Sequence, residues 1–186
     1  MMRDRPDSQS PPRGARERAS SEGAHWTVPK AVEARVDELA SHYPELRSAA
    51  VMVLHELQDH FGFVSPEAID WTANRLGLRP IHILELVTFY PMLHQQPVGR
   101  LHLRVCRTLS CALAGSHALH HHLCTKLGLD PTRHGPQTTA DGRVTVEFVE
   151  CLASCGTAPA LLCNATLHER VTIEDANRLL AEADKT

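Results

Sequence analysis

The sequence lacks any long hydrophobic run. Its apolar clusters are interrupted by His, Glu or Gln well before they reach the roughly 18 to 20 consecutive apolar residues of a membrane-spanning helix. The N-terminus has charged residues and prolines where a secretory signal has an apolar segment. We therefore expect a protein that stays in the cytoplasm and inserts no segment into a membrane.

Positive charge is not in excess either. The 19 Lys and Arg residues are outnumbered by 22 Asp and Glu, which gives a formal net charge of -3. Nucleic acids and anionic membranes are bound by basic surfaces, so neither is an expected partner. The chain also lacks the G-x-G-x-x-G fingerprint of dinucleotide-binding folds and the C-x-x-C motif of thiol exchange. These absences argue against a nucleotide site and against thioredoxin-type chemistry.

Three regions of different composition follow one another along the chain. Residues 1–28 are rich in Pro, Ser, Arg, Gly and Glu and show no apolar period, which predicts a disordered tail. Residues 29–97 predict a small helical bundle. Residues 98–186 alternate between strand and helix patterns. The predicted fold class is therefore α+β or α/β, with the helical bundle preceding the mixed domain.

The helical region contains clear start and stop signals. Apolar residues recur at helical spacing in three stretches, which are Val32–Ala40, Ala49–Leu57 and Ile81–Leu93. Ser65 before Pro66 predicts a further helix start, because the hydroxyl can cap free amides and proline suits the first helical position. That helix should end near Gly77, and the last one around Pro91.

Two predicted strands lead directly into cysteine pairs. Apolar and polar residues alternate over 101–105, the period of a half-buried strand that runs into Cys106. Residues 143–149 predict a second strand that ends just before Cys151. The other predicted elements are a helix over about 113–127, a short strand near 160–163 and a final helix begun by the capping pair Thr172 and Asp175.

Four of the six cysteines form two spaced pairs. Cys106 and Cys111 make a C-x4-C motif, and Cys151 and Cys155 make a C-x3-C motif. In a reducing compartment such cysteines indicate metal ligands, redox groups or small core residues rather than disulfides. Loops at strand ends can turn several thiolates toward one point. We therefore predict that both pairs lie on loops and converge.

Two kinds of metal group suit four converging thiolates. A [2Fe-2S] cluster needs four deprotonated sulfurs with polar groups nearby, and Arg107, Thr108, Ser110, Ser154 and Gly156 could supply hydrogen-bond donors. A tetrahedral zinc site also takes four thiolates, although its loops favour two to four intervening residues. The x4 spacing lies at the limit of that range. Spacing therefore favours the iron-sulfur group and leaves structural zinc open.

Other conspicuous residues are predicted to be structural. Cys124 lies on the apolar face of a predicted helix and Cys163 ends a strand, so both are expected in the core. His120–His122 would point in different directions on a helix, which predicts a solvated face rather than a metal site. Phe89 and Tyr90 at a helix end are expected in core or hinge packing rather than at a partner surface.

Three segments resemble the E-subunit family of NADH-quinone oxidoreductase. They are Thr88–Met92, Val105–Cys111 and Glu150–Pro159, and the Gly62–Pro66 turn resembles the family as well. The resemblance extends from about residue 35 to the C-terminus and leaves the N-terminal tail outside it. Similar chains occur in NAD-linked hydrogenases and formate dehydrogenases.

The resemblance implies a helical unit followed by a thioredoxin-like domain that holds one [2Fe-2S] cluster on Cys106, Cys111, Cys151 and Cys155. It also implies that FMN and NADH belong to a neighbouring flavin subunit. This chain would then be a non-catalytic electron-transfer subunit of an NADH dehydrogenase (quinone) complex, attached to the inner membrane only through that complex. The respiratory, hydrogenase and formate dehydrogenase versions share these loops, so the motifs do not identify the parent complex.

Overall fold

The computed structural model describes residues 26–183, which form seven α-helices and one five-stranded sheet. The helices are α1 (Lys30–Ser41), α2 (Ala50–Phe61), α3 (Pro66–Leu76), α4 (Pro80–Phe89), α5 (Leu109–Leu113), α6 (Ser116–Lys126) and α7 (Ile173–Ala183). The strands are β1 (Leu101–Cys106), β2 (Gln137–Thr138), β3 (Val144–Val149), β4 (Leu161–Cys163) and β5 (Thr166–His168). The predicted α+β class is confirmed.

Helix α3 begins and ends at the predicted signals, and α4 ends where predicted. The Ser65 hydroxyl accepts a hydrogen bond from the Ala68 amide at 3.3 Å, and Pro66 is the first residue of α3. That helix ends at Gly77, whose φ of 65° lies in the left-handed region that glycine adopts without steric cost. Helix α4 ends before Pro91, since proline cannot continue the backbone hydrogen bonding.

The four helices share one apolar core. Leu54, Leu57 and Ile83 are fully buried there. Trp26 packs against Phe61 with ring centroids 5.1 Å apart, so the packed chain includes the last residues of the range 1–28 predicted as a tail. Residues 1–25 of that prediction lie outside the described residues. The division into a bundle over 29–97 and a domain over 98–186 stays a prediction.

The sheet is mixed, with strand order β2-β3-β1-β4-β5. Strands β1 and β3 pair in parallel, and the pairing runs from Leu101 opposite Val144 to Cys106 opposite Val149. The remaining pairings are antiparallel. Because the carboxyl ends of parallel neighbours meet at one edge of a sheet, the residues that follow β1 and β3 are brought side by side. This parallel pair is what positions the two cysteine motifs.

Sheet and helices enclose a second core. Leu103, Val105 and Val146 pack with Leu123 of α6 and Leu180 of α7. On the approach to β1, Gly99 passes so close to Arg143 that an added Cβ would lie 2.6 Å from its carbonyl oxygen. Only glycine allows this backbone approach.

The helix predicted over about 113–127 is α6, which begins at Ser116, and the short helix α5 before it was not predicted. Gly115, with a φ of 98°, separates α5 from α6, because a left-handed residue cannot continue a right-handed helix. Cys111 therefore lies within α5 and not on the predicted loop. Strands β2 and β5 were not predicted, because two or three residues are too few to show an alternating pattern. Within residues 26–183 no helix is long and apolar enough to cross a membrane.

Candidate metal centre

The four paired cysteines occupy different kinds of backbone. Cys106 is the last residue of β1, and its amide donates to the carbonyl oxygen of Ala160 at 3.1 Å. Cys111 lies in α5, and both side chains are 1% exposed. Cys151 follows β3 and Cys155 opens a 3-10 turn, and both of these thiols are exposed. The prediction of two loops is thus correct for the second pair and wrong for the first.

A small apolar cluster surrounds the buried pair. Cys106 and Cys111 pack with Ala160, and Leu152 from the second cysteine loop packs against them. The Arg107 amide also donates to the carbonyl oxygen of Val149 at 2.9 Å, which extends the parallel pairing beyond the strands. The chain following β1 and the chain following β3 are therefore held together at the sheet edge.

The thiol groups interact both within and between the pairs. Sγ of Cys151 lies 3.9 Å from Sγ of Cys155. Hydrogen bonding from the Cys111 thiol contributes to the lowered pKa of Cys106. Between the pairs, a charge on Cys155 acts to raise the pKa of Cys111, and a charge on Cys106 acts to raise the pKa of Cys151. The four thiols are therefore near enough to influence one another's ionisation.

Hydrogen bonding favours the thiolate form at two of the positions. Burial by itself would raise the pKa of Cys106, but the Thr108 hydroxyl and the amides of Leu152 and Thr108 outweigh it and lower that pKa. The Ala153 amide, which donates to Cys151 Sγ at 3.3 Å, lowers the pKa of Cys151. Burial raises the pKa of Cys111. Metal binding requires the deprotonated form, so the donors at Cys106 and Cys151 favour it.

Thr108 contacts both pairs. Its Oγ1 lies 3.3 Å from Cys106 Sγ, and the same hydroxyl contributes to the lowered pKa of Cys151. Of the donors predicted from the sequence, this one is placed at the sulfur atoms. Arg107 instead forms an ion pair with Glu150 at 2.8 Å.

Ser154, another predicted donor, contacts a carboxylate in place of a sulfur. The hydroxyls of Ser154 and Thr157 both donate to Oε1 of Glu169, a residue between β5 and α7. The Ser154 hydroxyl, followed by that of Thr157, lowers the pKa of Glu169. Sequence reasoning missed Glu169, because an isolated surface glutamate outside any motif carries no signal of such a contact.

The spacing of the exposed sulfur pair fits two thiolates bound to one metal atom. Among residues 26–183, no three His, Cys, Asp or Glu side chains already surround one point closely enough to hold a metal ion. Two sulfurs bound to one tetrahedral metal at about 2.3 Å lie roughly 3.8 Å apart, and Cys151 and Cys155 at 3.9 Å match that edge. Two such pairs, one on each iron, are what a [2Fe-2S] cluster requires. The four cysteines therefore fit the cluster.

Two further cysteines lie away from this group, as predicted. Cys124 is fully buried in α6, and Cys163 ends β4 and is half-buried. Burial raises the pKa of both thiols. Cys124 belongs to the second apolar core and Cys163 packs against it, which agrees with the predicted core positions.

Two of the other structural predictions need correction. His120 is not on a solvated face: it is 4% exposed and its ring stacks on Phe148 at a centroid distance of 4.3 Å. The helical pattern of α6 turns this side chain toward the sheet, while His121 is exposed as predicted. Phe89, expected in packing, is 76% exposed.

The fold and the cysteine pairs together define a class of protein. The sequence profile of the thioredoxin-like [2Fe-2S] ferredoxin family matches residues 36–184, and this chain belongs to that family. Membership implies a [2Fe-2S] cluster.

Relatives of known name are E subunits of NADH-quinone oxidoreductase, the family that the sequence motifs resemble. The chain is 38% identical over 144 residues to the E 2 subunit of NADH-quinone oxidoreductase from Rhizobium meliloti (strain 1021), covering 77% of this chain and 82% of the relative. It is 30% identical over 139 residues to the E subunit of NADH-quinone oxidoreductase from Aquifex aeolicus (strain VF5), covering 75% and 84%. The predicted resemblance to the E-subunit family is confirmed.

A solved structure shares the fold. An NAD+-reducing [NiFe]-hydrogenase in the air-oxidized state has a TM-score of 0.58 and 26% identity, over 73% of this chain and 22% of the hydrogenase chain. The present chain thus corresponds to about a fifth of that larger polypeptide. The curated relatives are subunits of an oxidoreductase complex, and the solved structure is also that of an oxidoreductase.

Proposed function

We propose that this chain is an electron-transfer subunit that carries one [2Fe-2S] cluster on Cys106, Cys111, Cys151 and Cys155, next to a flavin subunit in the peripheral arm of an NADH:quinone oxidoreductase. The observation that supports this most directly is the meeting of two cysteine pairs at the carboxyl ends of the parallel strands β1 and β3. Identity of 38% to a subunit of NADH-quinone oxidoreductase supports the choice of parent complex.

The four cysteines and their hydrogen-bond donors would have different roles in binding the cluster. When bound, a [2Fe-2S] cluster supplies a one-electron couple whose potential depends on charge, hydrogen bonds to the sulfurs and exposure. Cys106 and Cys111 hold its inner side in an apolar setting, and Cys151 and Cys155 hold the side that faces solvent. Thr108 and the Ala153 amide offset part of the negative charge of the thiolates.

The partner is proposed to dock beside α5. Leu109 and Leu113 lie one helical turn apart and are 75% and 82% exposed, on the helix that contains Cys111. Exposed leucines at an electron-transfer site suit a protein partner that excludes water there. In this proposal the partner contains FMN and NADH, and the assembly is cytoplasmic and peripheral to the inner membrane through other subunits.

A second candidate is the equivalent subunit of an NAD-linked hydrogenase or formate dehydrogenase. The likeness to the NAD+-reducing hydrogenase favours it. Affinity purification of the tagged chain from its native cells separates the two, because the co-purifying subunits belong either to a quinone-reducing complex or to a hydrogenase or formate dehydrogenase. Recovery with neither type of subunit would contradict both assignments.

The decisive experiment is spectroscopy of the anaerobically purified protein, with iron and zinc assayed on the same sample. We expect visible absorption bands that bleach with dithionite, a rhombic spin-half electron paramagnetic resonance signal, and two iron atoms per chain. Stoichiometric zinc in a colourless protein would instead identify a structural zinc site that stabilises an interaction module. That result would exclude the electron-transfer proposal.

A further inference from the structure

The exposed cysteine loop is tied to a distant part of the chain by one carboxylate. Oε1 of Glu169 accepts hydrogen bonds from the hydroxyls of Ser154 and Thr157. These two residues flank Cys155, and their hydroxyl oxygens lie within hydrogen-bonding distance of each other at 2.6 Å. The backbone is thereby fixed on both sides of a proposed ligand.

Backbone contacts reinforce this connection. The Arg170 amide donates to the carbonyl oxygen of Thr157 at 2.8 Å, and the Val171 amide donates to that of Pro159 at 3.0 Å. The segment that contains Glu169 therefore runs along the second cysteine loop and follows it closely. The Glu169 carboxylate reaches from this segment into the loop.

The exposed cysteine loop requires stabilising contacts from elsewhere in the chain. Cys151 and Cys155 are themselves exposed, and of the residues beside them Leu152 packs against the apolar cluster around Cys106. Ala153 between them has a φ of 59°, a left-handed conformation that costs an L-residue roughly 1–2 kcal/mol. Surrounding contacts must compensate for a strained residue of this kind.

We propose that Glu169 is the positioning residue of the exposed cysteine pair: its carboxylate fixes the backbone around Cys155 and keeps a negative charge on the loop that carries this pair. The inference rests on the proposed cluster. Reduction adds one electron to a group that four thiolates already make negative, so a nearby carboxylate opposes it. Glu169 therefore lowers the reduction potential as well as ordering the loop.

Three variants separate charge from hydrogen bonding. Glu169→Gln keeps an acceptor oxygen and removes the charge. The double variant Ser154→Ala/Thr157→Val keeps the charge and removes both hydroxyls. Glu174→Gln is the matched control, since it removes one charge from an exposed residue in the first turn of α7.

The primary readout is an electron paramagnetic resonance titration of the purified full-length chain. At a fixed poised potential, Glu169→Gln should increase the ratio of reduced to oxidised protein by about threefold to tenfold, and tenfold corresponds to ~59 mV for a one-electron couple. The control should change this ratio by less than twofold. The double variant should release iron to a chelator several times faster than wild type, because its loop has lost both contacts to Glu169.

The outcomes distinguish this inference from the proposed function. Wild-type protein without iron would overturn both. Wild type with a normal cluster, but with Glu169→Gln titrating like wild type or like Glu174→Gln, would overturn the role of Glu169 alone. An unchanged chelation rate in the double variant would likewise overturn the positioning role, while the cluster assignment would stand.

Discussion

Cys106 and Cys111 are enclosed by the protein, whereas Cys151 and Cys155 lie at its surface. The first pair is fixed by regular structure, since Cys106 belongs to β1 and Cys111 to α5. The second pair depends on a few polar contacts, chiefly those of the Ala153 amide and of Glu169. The first pair is therefore the rigidly placed half of the candidate site, and the second pair is the half that solvent can reach.

This difference has a consequence for electron transfer. In the proposed site, the buried sulfur pair would keep the local dielectric low and shield the metal from hydrolysis, and the exposed pair would leave a short route for an electron from a partner. The polar contacts of the exposed loop lie at the surface, so changing them should affect the potential more than folding. We therefore expect substitutions in the two halves to have different readouts.

The largest effect is expected from removing one buried ligand. Cys106→Ala should lose essentially all bound iron, because alanine offers no ligand atom and an enclosed site cannot bring in a replacement. Cys163→Ala serves as the control and should keep full iron, since Cys163 is outside the proposed site. Iron content and the intensity of the resonance signal are the measurements. A normal cluster in Cys106→Ala would exclude this ligand set.

Thiol reactivity in the metal-free protein should differ strongly between the pairs. Cys151 is exposed and its pKa is lowered by the Ala153 amide, so more of it is thiolate at neutral pH. We expect iodoacetamide to modify Cys151 at least about tenfold faster than Cys111, which is buried and whose pKa is raised by that burial. Mass spectrometry of the peptides over time gives the rates. In urea-unfolded protein the rates should converge, and equal rates in the folded protein would contradict the comparison.

A moderate effect is expected at the residue that touches both halves. Thr108→Val removes the hydroxyl beside Cys106 Sγ and Cys151, and with it stabilisation of negative charge. If that bond contributes about 1 kcal/mol, the potential should fall by roughly 40 mV. This shift is opposite in sign to the one expected for Glu169→Gln. Thr166→Val on the edge strand β5 is the control, and a rise in potential for Thr108→Val would refute the assigned role.

The smallest effect is expected at the strained residue of the exposed loop. Ala153→Gly relieves a left-handed conformation but gives the unfolded chain more freedom, so the free energy of unfolding should rise by less than about 1 kcal/mol. Thermal unfolding should shift upward by no more than a few degrees. Ala181→Gly, in the exposed face of α7, should shift it downward because glycine is a poor helix former. A clear loss of stability in Ala153→Gly would mean that the positive φ is not strained.

Much of the fold could be predicted from local pattern. Ser65 and Gly77 bound α3 as predicted, because capping and left-handed glycine are properties of a few adjacent residues. Short elements such as α5, β2 and β5 could not be predicted in this way, because a few residues do not show a periodic pattern. The burial of His120 also escaped prediction, because the stacking partner Phe148 belongs to another element.

The sequence by itself determined which thiols form the candidate site, since the spacing of Cys106 with Cys111 and of Cys151 with Cys155 is a local property that resembles one family. Only the tertiary structure decided that the first pair is buried and the second exposed, and that Glu169 supports the second. The physical reason is that burial and long-range hydrogen bonds depend on the parallel pairing of β1 with β3, which joins segments some forty residues apart. No local pattern encodes which distant residues such pairing brings into contact.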